Sequence, residues 1–199
     1  MTGVQTCALP ILDGIGEADS LINSFSLVAY LPEPLAWLVD TLRREIQPGS
    51  TERGHVTLLP PRPIHAPVEQ ACAEISAILE NEFAFDVELG KVCVFPASRV
   101  VHLSVGEASA KLIRLHRALN RGACEHLEMF YYHPHVTLAQ GLDGDAVVRA
   151  KDVAEERWQG FAGKRSFELE RVTLVQNTMQ NNWRNLQEFS LRTPVIAWT

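Results

Sequence analysis

The tetrapeptide His-Val-Thr-Leu occurs twice in the chain, beginning at His55 and at His135. Each copy lies in a short apolar run typical of a β-strand, where residues i and i+2 point to the same face. One face of each strand therefore carries an imidazole and a hydroxyl, from His55 and Thr57 or from His135 and Thr137. Two such faces opposed across a groove would supply two imidazoles and two hydroxyls, a set suited to acid–base chemistry on a phosphate ester.

The surroundings of the two copies repeat as well. Both halves of the chain show a strand, a helix, the motif strand, a second helix and a further strand in the same order. The alternative is that the copies are ordinary strands whose His and Thr face solvent, but chance would not give both the same flanks. The order predicts an internal duplication, with two α+β lobes facing each other across one groove.

Hydrophobic periodicity and turn residues set the bounds of these elements. We predict strands over residues 25–31, 55–59, 83–89, 92–95, 100–105, 135–139, 167–175 and 186–191. We predict helices over residues 35–46 and 68–79, a helix from about 112 that ends near Gly122, and a helix over 143–158. Asp143 or Asp145 is available to cap the last helix. Pro60 and Pro61 are expected to end the first motif strand.

The predicted elements divide the chain into lobes of approximately 24–90 and 91–191. No segment rich in Gly or Ser separates them, so we expect one cooperative bilobal domain within residues 12–199. The first residues, 1–11, resemble the translation of a common DNA-sequencing adapter. We therefore predict that 1–11 is a non-native leader and leave it out of the fold prediction.

Composition restricts the class of protein. In 199 residues, 46% are hydrophobic and 21% are charged, as in soluble globular proteins. The net charge of −6 argues against a broad basic surface for long duplex nucleic acid. A small nucleotide or one RNA end needs only a few local donors. No apolar run has membrane-spanning length, and no basic leader of a secretory signal is present. We expect a cytoplasmic monomer with no membrane partner.

The cysteines are too scattered to build a zinc knuckle or a dense disulfide framework. We expect free thiols in a reducing compartment. The four residues are Cys7, Cys72, Cys93 and Cys124.

The two His-x-Thr-x motifs, with x apolar, on strands of duplicated α+β halves resemble the 2H phosphoesterase superfamily. This superfamily includes RNA 2′,3′-cyclic phosphodiesterases, also known as 2′-5′ RNA ligases. The resemblance extends from about Ser24 to Leu191. It implies an α+β fold of two duplicated lobes, in which two antiparallel-rich sheets line a central groove and the helices lie outside.

The resemblance also implies roles for the four motif side chains. His55 and His135 correspond to the catalytic residues of the superfamily, and Thr57 and Thr137 to its phosphate-binding residues. In family members the second-motif histidine often acts as the base and the first as the acid. The chemistry needs no cofactor and no metal, because two imidazoles on opposite sides of a phosphorus atom can deprotonate a water and protonate a leaving oxygen.

Three hypotheses about function remain open from the sequence. The leading one is hydrolysis of a 2′,3′-cyclic phosphate, on an RNA end or a nucleotide, or of a 2′-5′ phosphodiester. The second is a nucleotide- or RNA-binding module without turnover, which would not require both an acid and a base. The third is a defence or anti-defence enzyme that degrades cyclic oligonucleotides by the same chemistry.

Two further residues are candidates for substrate binding. Arg62 follows the first motif closely, and its forked guanidinium suits a phosphate, although a surface Arg in a Pro-rich loop is the alternative. Tyr132 precedes the second motif and could stack on a base, or it could belong to the core. His133 and His135 could suggest a metal pair, but no carboxylate or Cys cluster accompanies them, and we expect no metal.

The remaining residues of chemical interest have no repeated context. The sequence predicts that His116, on the apolar face of a helix, is a satisfied core histidine. It predicts a hairpin turn at Asn181 and Asn182, with Trp183 as a packing residue. His65, His102 and His126 receive no role.

Overall fold

The computed structural model describes residues 20–193. Residues 1–11, predicted to be a non-native leader, and the last six residues of the chain lie outside the described residues. The elements, in chain order, are β1 (Leu21–Tyr30), α1 (Leu35–Ile46), β2 (His55–Arg62), α2 (Val68–Leu79), β3 (Phe85–Val94), β4 (Val101–Val105), α3 (Ser109–Leu119), a 3₁₀ turn (Gly122–Cys124), β5 (His135–Ala139), α4 (Gly144–Gly160), β6 (Ser166–Leu169), β7 (Arg171–Thr178) and β8 (Trp183–Ser190).

The strands form two antiparallel sheets of four strands each. Sheet 1 has the order β2-β1-β7-β8, and sheet 2 has the order β5-β4-β3-β6. The predicted α+β class with two antiparallel-rich sheets is therefore confirmed. The two motif strands, β2 and β5, are edge strands of their sheets and contact each other. The duplication thus brings two sheet edges together.

The sheets do not follow the two halves of the sequence. Strand β3, from the first half, pairs with β4 in sheet 2, whereas β7 and β8 return to pair with β1 in sheet 1. The division near residue 90 is therefore not the division between the sheets. The exchange of strands ties the lobes together, and the buried apolar side chains of both lobes form one core cluster.

Several predicted bounds agree with the structure. The helices over 35–46 and 68–79 and the second motif strand have the expected limits. Their hydrophobic stripes are buried and turn residues flank them, so local sequence is sufficient to define them. The helix through Leu112 begins at Ser109 and ends at Leu119, before the short 3₁₀ turn. The last strand begins earlier than predicted, at Trp183.

The prediction that Pro60 and Pro61 end the first motif strand is wrong. Strand β2 continues to Arg62, which pairs with Phe25 of β1, and a register shift separates that pair from Leu59 and Leu27. Proline lacks the N–H that a central strand must donate, but an edge strand with a bulge accommodates it.

Two strand predictions near the sheet junctions are also corrected. The runs predicted at 83–89 and 92–95 form one strand, β3, with a register shift around Gly90. The run predicted over 167–175 is two strands, β6 and β7, which lie in different sheets. In β6 the buried Phe167 and Leu169 alternate with less buried residues, whereas residues 172–175 of β7 are all buried, and this change of pattern marks the break.

The predicted carboxylate cap of the last helix is absent. Asp143 occupies the N-cap position of α4 with extended backbone, but its side chain makes no capping hydrogen bond. It is exposed and lies 3.8 Å from Arg99 instead. Asp145 lies within the first turn, where a negative charge favours the helix dipole.

Three cysteines of the described residues, Cys72, Cys93 and Cys124, are free thiols. Within residues 20–193, none of the helices combines the length and the apolar composition needed to cross a bilayer.

Candidate active site

The two motif strands present their side chains as the period of two predicts. Val56 and Leu58 of β2 are fully buried in the core, as are Val136 and Leu138 of β5. His55, Thr57, His135 and Thr137 alternate with them and are half-buried on the opposite face. The apolar half of each motif anchors the strand, so the polar half is held on a fixed face.

The neighbouring strands repeat the same register beside each motif. On sheet 1, Tyr30 of β1 pairs with His55 and Val28 pairs with Thr57. On sheet 2, Ser104 of β4 pairs with His135 and His102 pairs with Thr137. The two sites are therefore related copies in backbone geometry. They differ in the side chains beside them, which are Tyr and Val on one sheet and Ser and His on the other.

Both motif imidazoles are held by the same backbone contact. The Nδ1 atom of His55 lies 2.7 Å from the carbonyl oxygen of Arg53, and Nδ1 of His135 lies 2.7 Å from the carbonyl oxygen of His133. A carbonyl oxygen only accepts, so Nδ1 carries a hydrogen and donates it. In the neutral ring Nε2 is then the free basic nitrogen, and in the protonated ring Nε2–H is the free acid.

Both imidazoles are less basic than an ordinary histidine. Burial lowers the pKa of His55, the bond to the Arg53 carbonyl offsets part of that shift, and the charge of Arg43 lowers the pKa further. Burial also lowers the pKa of His135. The hydrogen bond to the His133 carbonyl raises this pKa in part, whereas a charge on the His133 ring lowers it further. A proton on His135 in addition lowers the pKa of His55. The two rings therefore disfavour simultaneous protonation.

A groove with a volume of about 750 Å³ lies beside the motifs. His55, Thr57 and Thr137 line it. Most of the wall comes from sheet 1 and from the loop before β2. On the side of sheet 2, Thr137 of β5 and Gln140, which follows β5, line the groove. The open space thus extends from the motifs over sheet 1.

An aromatic cluster fills the corresponding face of sheet 2. The ring of His102 stacks on Phe95 with centroids 3.9 Å apart, and both rings contact the edge of His135 at 5.3 and 5.0 Å. His133 adds a further edge contact to Phe95 at 5.4 Å. Burial lowers the pKa of His102 to about 4, so this ring is neutral at pH 7. The sequence predicted no role for His102, although its i, i+2 relation to Ser104 places both on the face of β4 that adjoins the second motif.

Arg62, predicted as a possible phosphate contact, is buried and does not line the groove. Its side chain is 3% exposed, and Nε donates to the carbonyl oxygen of Pro60 at 2.9 Å. Nη1 donates to Asn120 Oδ1 at 2.7 Å and to the Cys124 carbonyl at 3.0 Å, and Nη2 is paired with Glu128. Arg62 lies on the core face of β2, the face of Val56 and Leu58, and its fork joins the strand to the loop before the second motif.

Tyr132 does not line the groove either, where the sequence suggested that it could stack on a base. Its hydroxyl donates to the carbonyl oxygen of Thr57 at 2.7 Å, and its ring stacks on His116 with centroids 4.0 Å apart. His116 is buried, as predicted; its Nδ1 lies 2.8 Å from the carbonyl oxygen of Leu58, and its Nε2 lies 3.4 Å from Glu128. These side chains hold the backbone of the first motif to the segment that leads into the second.

A further set of contacts joins the two halves beside α1. Gln47, at the end of α1, donates from Nε2 to the Gln140 carbonyl at 2.8 Å and accepts from the Gln140 N–H at 3.2 Å. Arg157 of α4 binds both carboxylate oxygens of Glu45 at 3.0 and 2.8 Å. Gln140 follows β5 directly, so this pair holds the end of the second motif strand.

Several further residues line the groove that the sequence did not predict. Tyr30 donates from its hydroxyl to Asn185 Oδ1 at 2.7 Å, and the guanidinium of Arg53 lies over the Tyr30 ring at 4.2 Å. Trp183, predicted to be a packing residue, is half-buried and lines the groove. Arg53 lies two residues before His55, and in a strand this spacing would place both side chains on the same face. That spacing is the one feature of the local sequence that indicates Arg53 as a groove residue. The others reach the groove only through sheet pairing.

No group of three or more His, Cys, Asp or Glu side chains among the described residues is arranged to hold a metal ion.

Comparison with known proteins identifies the family. A model of the 2′-5′ RNA ligase superfamily matches residues 31–181, a span that includes both motif strands. The chain belongs to this superfamily. It is thus one of the 2H phosphoesterases, as the motif pair predicted. No curated protein matches the chain in sequence.

Solved structures share the fold of this superfamily member. Apo LigT from E. coli superposes with a TM-score of 0.60 at 19% identity, covering 85% of this chain and 97% of LigT. A structure described as a phosphoesterase gives a TM-score of 0.59 at 19% identity, with 85% and 98% covered. A protein of Thermus thermophilus gives 0.55 at 16% identity, with 85% and 98% covered. LigT has also been crystallised with phosphate, ATP, NADP⁺ and 3′-AMP.

Proposed function

We propose that this protein is a phosphodiesterase that hydrolyses a 2′,3′-cyclic phosphate, on a nucleotide or an RNA end, or a 2′-5′ phosphodiester. His55 and His135 form its acid–base pair, and the reaction requires no metal. One observation carries the proposal. Two imidazoles on facing edge strands each form a hydrogen bond through Nδ1 to the backbone carbonyl of the residue two positions before. This arrangement leaves two Nε2 atoms for proton transfer. Membership of a phosphoesterase superfamily supports the reaction class.

In the proposed reaction, the oxygen of a water attacks the phosphorus while its proton passes to Nε2 of a neutral imidazole. The bond from phosphorus to a ribose oxygen breaks, and that oxygen takes the proton from Nε2–H of the other, protonated imidazole. The product is a phosphomonoester beside a free hydroxyl. The two rings have then exchanged protonation states, and exchange with solvent restores them.

The shape of the groove supports His55 as the acid. The open space extends over sheet 1, which carries His55, and the aromatic cluster occupies the face of sheet 2 beside His135. A nucleoside in the groove therefore lies on the side of His55, and its leaving oxygen is nearer that ring. His135 then deprotonates the water on the other side. This assignment agrees with the roles that the family resemblance implies.

The hydroxyls of Thr57 and Thr137 donate hydrogen bonds to the non-bridging phosphate oxygens as negative charge develops there. A neutral donor suits this position, because an additional cation would lower the pKa of the histidine that has to carry a proton. Binding of small nucleotides by LigT, which shares the fold, supports a nucleotide-sized substrate.

A substrate panel tests the proposal. It comprises nucleoside 2′,3′-cyclic phosphates, 2′-5′ dinucleotides, ADP-ribose cyclic phosphate and cyclic dinucleotides, each with and without EDTA, and product phosphate position is read by ³¹P NMR. We expect turnover of a cyclic phosphate or a 2′-5′ linkage that EDTA leaves unchanged. His55→Gln and His135→Gln should each lower kcat by about 10²- to 10⁴-fold, the usual contribution of acid–base catalysis.

The exposed His65 provides the matched control, since His65→Gln should retain full activity. Full activity in His55→Gln or His135→Gln would overturn the proposal. Calorimetry with the same nucleotides separates the alternative of a binding module: tight binding without product in the wild-type protein would favour it. Turnover confined to cyclic dinucleotides would favour the cyclic-oligonucleotide hypothesis.

A further inference from the structure

We propose that the end of the groove over the β7–β8 hairpin is a nucleobase subsite, in which the base stacks on Trp183 and accepts hydrogen bonds from the amide of Asn185. The inference rests on the proposed function for the position of the phosphate. It goes beyond that function because it assigns which part of the protein recognises the base rather than the phosphate.

Trp183 stands on a rigid turn at the edge of the groove. The Thr178 N–H donates to the Asn182 carbonyl at 3.0 Å, and the Asn182 N–H donates to Thr178 Oγ1 at 3.1 Å. Asn177 Nδ2 donates to Asn181 Oδ1 at 2.9 Å. These bonds hold Trp183, the first residue of β8, half-buried in the wall of the groove. An indole fixed beside open space is a stacking surface for an aromatic base.

Asn185 lies two residues beyond Trp183 and lines the same groove. The hydroxyl of Tyr30 donates to Asn185 Oδ1 at 2.7 Å, which fixes the orientation of the amide and occupies its acceptor. The guanidinium of Arg53, 4.2 Å above the Tyr30 ring, packs on that donor in turn. The amide therefore directs its two N–H donors away from Tyr30. Such donors match the ring nitrogens and carbonyl oxygens on a base edge.

The distance from the motif to this subsite suits one nucleoside. Strands β2 and β8 are the two edges of sheet 1, three strand spacings or about 14 Å apart. The side chains of His55 and Trp183 both reach into the space between these edges. A phosphate at the imidazoles leaves room for a ribose over the middle strands and a base over β8. The middle strands present small side chains there, Ser26 and Val175, which are paired across β1 and β7.

Kinetics with and without a base test the subsite. The substrates are uridine and adenosine 2′,3′-cyclic phosphates and, as the baseless control, 1-O-methylribose 2,3-cyclic phosphate. Trp183→Ala should raise KM for both nucleoside substrates about 5- to 100-fold, the range for loss of one stacked base, with kcat within about twofold. Trp183→Phe should restore most of the affinity. KM for the baseless substrate should stay unchanged in both variants.

An Asn185→Asp variant tests the hydrogen bonds. It replaces the amide nitrogen and its two N–H donors with one acceptor oxygen, and we expect a rise in KM for the nucleoside substrates with no change for the baseless one. An equal loss of affinity for both substrate types in Trp183→Ala and Asn185→Asp would overturn the subsite. Unchanged KM for the nucleoside substrates would overturn it as well.

A binding measurement keeps this test separate from the proposed function. Titration with adenosine 3′-monophosphate should quench indole fluorescence, and ribose 5-phosphate should not. The quench should be lost in Trp183→Phe. It should be retained in the control variant Trp37→Phe, because Trp37 is exposed on α1 and does not line the groove. Quenching that needs Trp183 without any turnover would support the subsite and overturn the hydrolytic function. Turnover without a Trp183-dependent quench would support the hydrolytic function and overturn the subsite.

Discussion

The hydroxyl of Tyr132 donates a 2.7 Å hydrogen bond to the carbonyl oxygen of Thr57. Tyr132 precedes His135 by three residues, and Thr57 follows His55 by two. One hydrogen bond therefore connects the two chain segments that carry the motif imidazoles. The stack of Tyr132 on His116 reinforces this connection from the core side, outside the groove.

The first prediction concerns this bond. Tyr132→Phe keeps the stacked ring and removes the hydroxyl, so the Thr57 carbonyl loses its partner and the two imidazoles lose part of their relative positioning. We expect kcat to fall about tenfold or more with KM within about twofold, because a small misplacement of catalytic groups costs up to about 10²-fold. The free energy of unfolding should fall by about 1–3 kcal/mol.

Steady-state kinetics and urea unfolding measure both effects. Tyr131→Phe is the control, since Tyr131 is fully exposed and should be silent in both assays. An unchanged kcat in Tyr132→Phe would show that the bond has no part in positioning the imidazoles.

The second prediction concerns the pH dependence of turnover. Burial lowers the pKa of both His55 and His135 below 6.5 in the free protein. Turnover needs one neutral and one protonated ring, so kcat/KM should follow a bell whose maximum lies below pH 6.5. The anionic phosphate favours the protonated ring once it is bound, and the bell for kcat should therefore lie at higher pH. A maximum of kcat/KM above pH 7 would contradict this prediction.

The third prediction concerns the motif threonines. Thr57→Val and Thr137→Val keep the shape of the side chain and remove a donor to the developing charge. Each should lower kcat by about 10²- to 10³-fold, as for loss of one donor to a transition-state oxyanion. Thr57→Ser and Thr137→Ser keep a hydroxyl and should retain most of the activity. Full activity in the Val variants together with a loss in the Ser variants would mean that packing of the methyl group, rather than the hydroxyl, is needed.

The fourth prediction concerns stability in acid. The pKa of His102 is about 4 in the folded protein and about 6.5 when unfolded. The unfolded chain therefore binds more protons between these values, so stability is present above pH 6.5 and is lost as the pH falls toward 4. His102→Gln should remove at most about 3 kcal/mol of this dependence. Urea unfolding at pH 7 and at pH 4.5 gives the slope, and identical slopes for the two proteins would contradict the prediction.

The fifth prediction concerns Arg62. Arg62→Met removes the buried member of the ion pair with Glu128, which is itself partly exposed, and also removes the hydrogen bonds to Pro60, Asn120 and Cys124. We expect the free energy of unfolding to fall by about 3–5 kcal/mol. A fully stable variant that has lost affinity for phosphate would instead support the substrate contact that the sequence suggested. Thermal unfolding and a phosphate titration distinguish these outcomes.

The sequence by itself determined the local elements and the polar face of each motif. Helices α1 and α2 have the predicted limits because their apolar stripes and flanking turn residues act within one element. The strand period of two likewise fixes which face His55, Thr57, His135 and Thr137 share, because the intervening Val and Leu have to be buried. The repeat then predicts two facing lobes, since neither motif alone makes a site.

The tertiary structure alone decided which strands pair and therefore what surrounds the motifs. The return of β7 and β8 to sheet 1 brings Trp183 and Asn185 to the groove, far along the chain from His55. Pairing with β1 also carries β2 past Pro60 and Pro61, so that Arg62 pairs with Phe25 on the core face. These outcomes depend on contacts between distant segments, where the burial of whole sheet faces and the pairing of edge strands outweigh local preference.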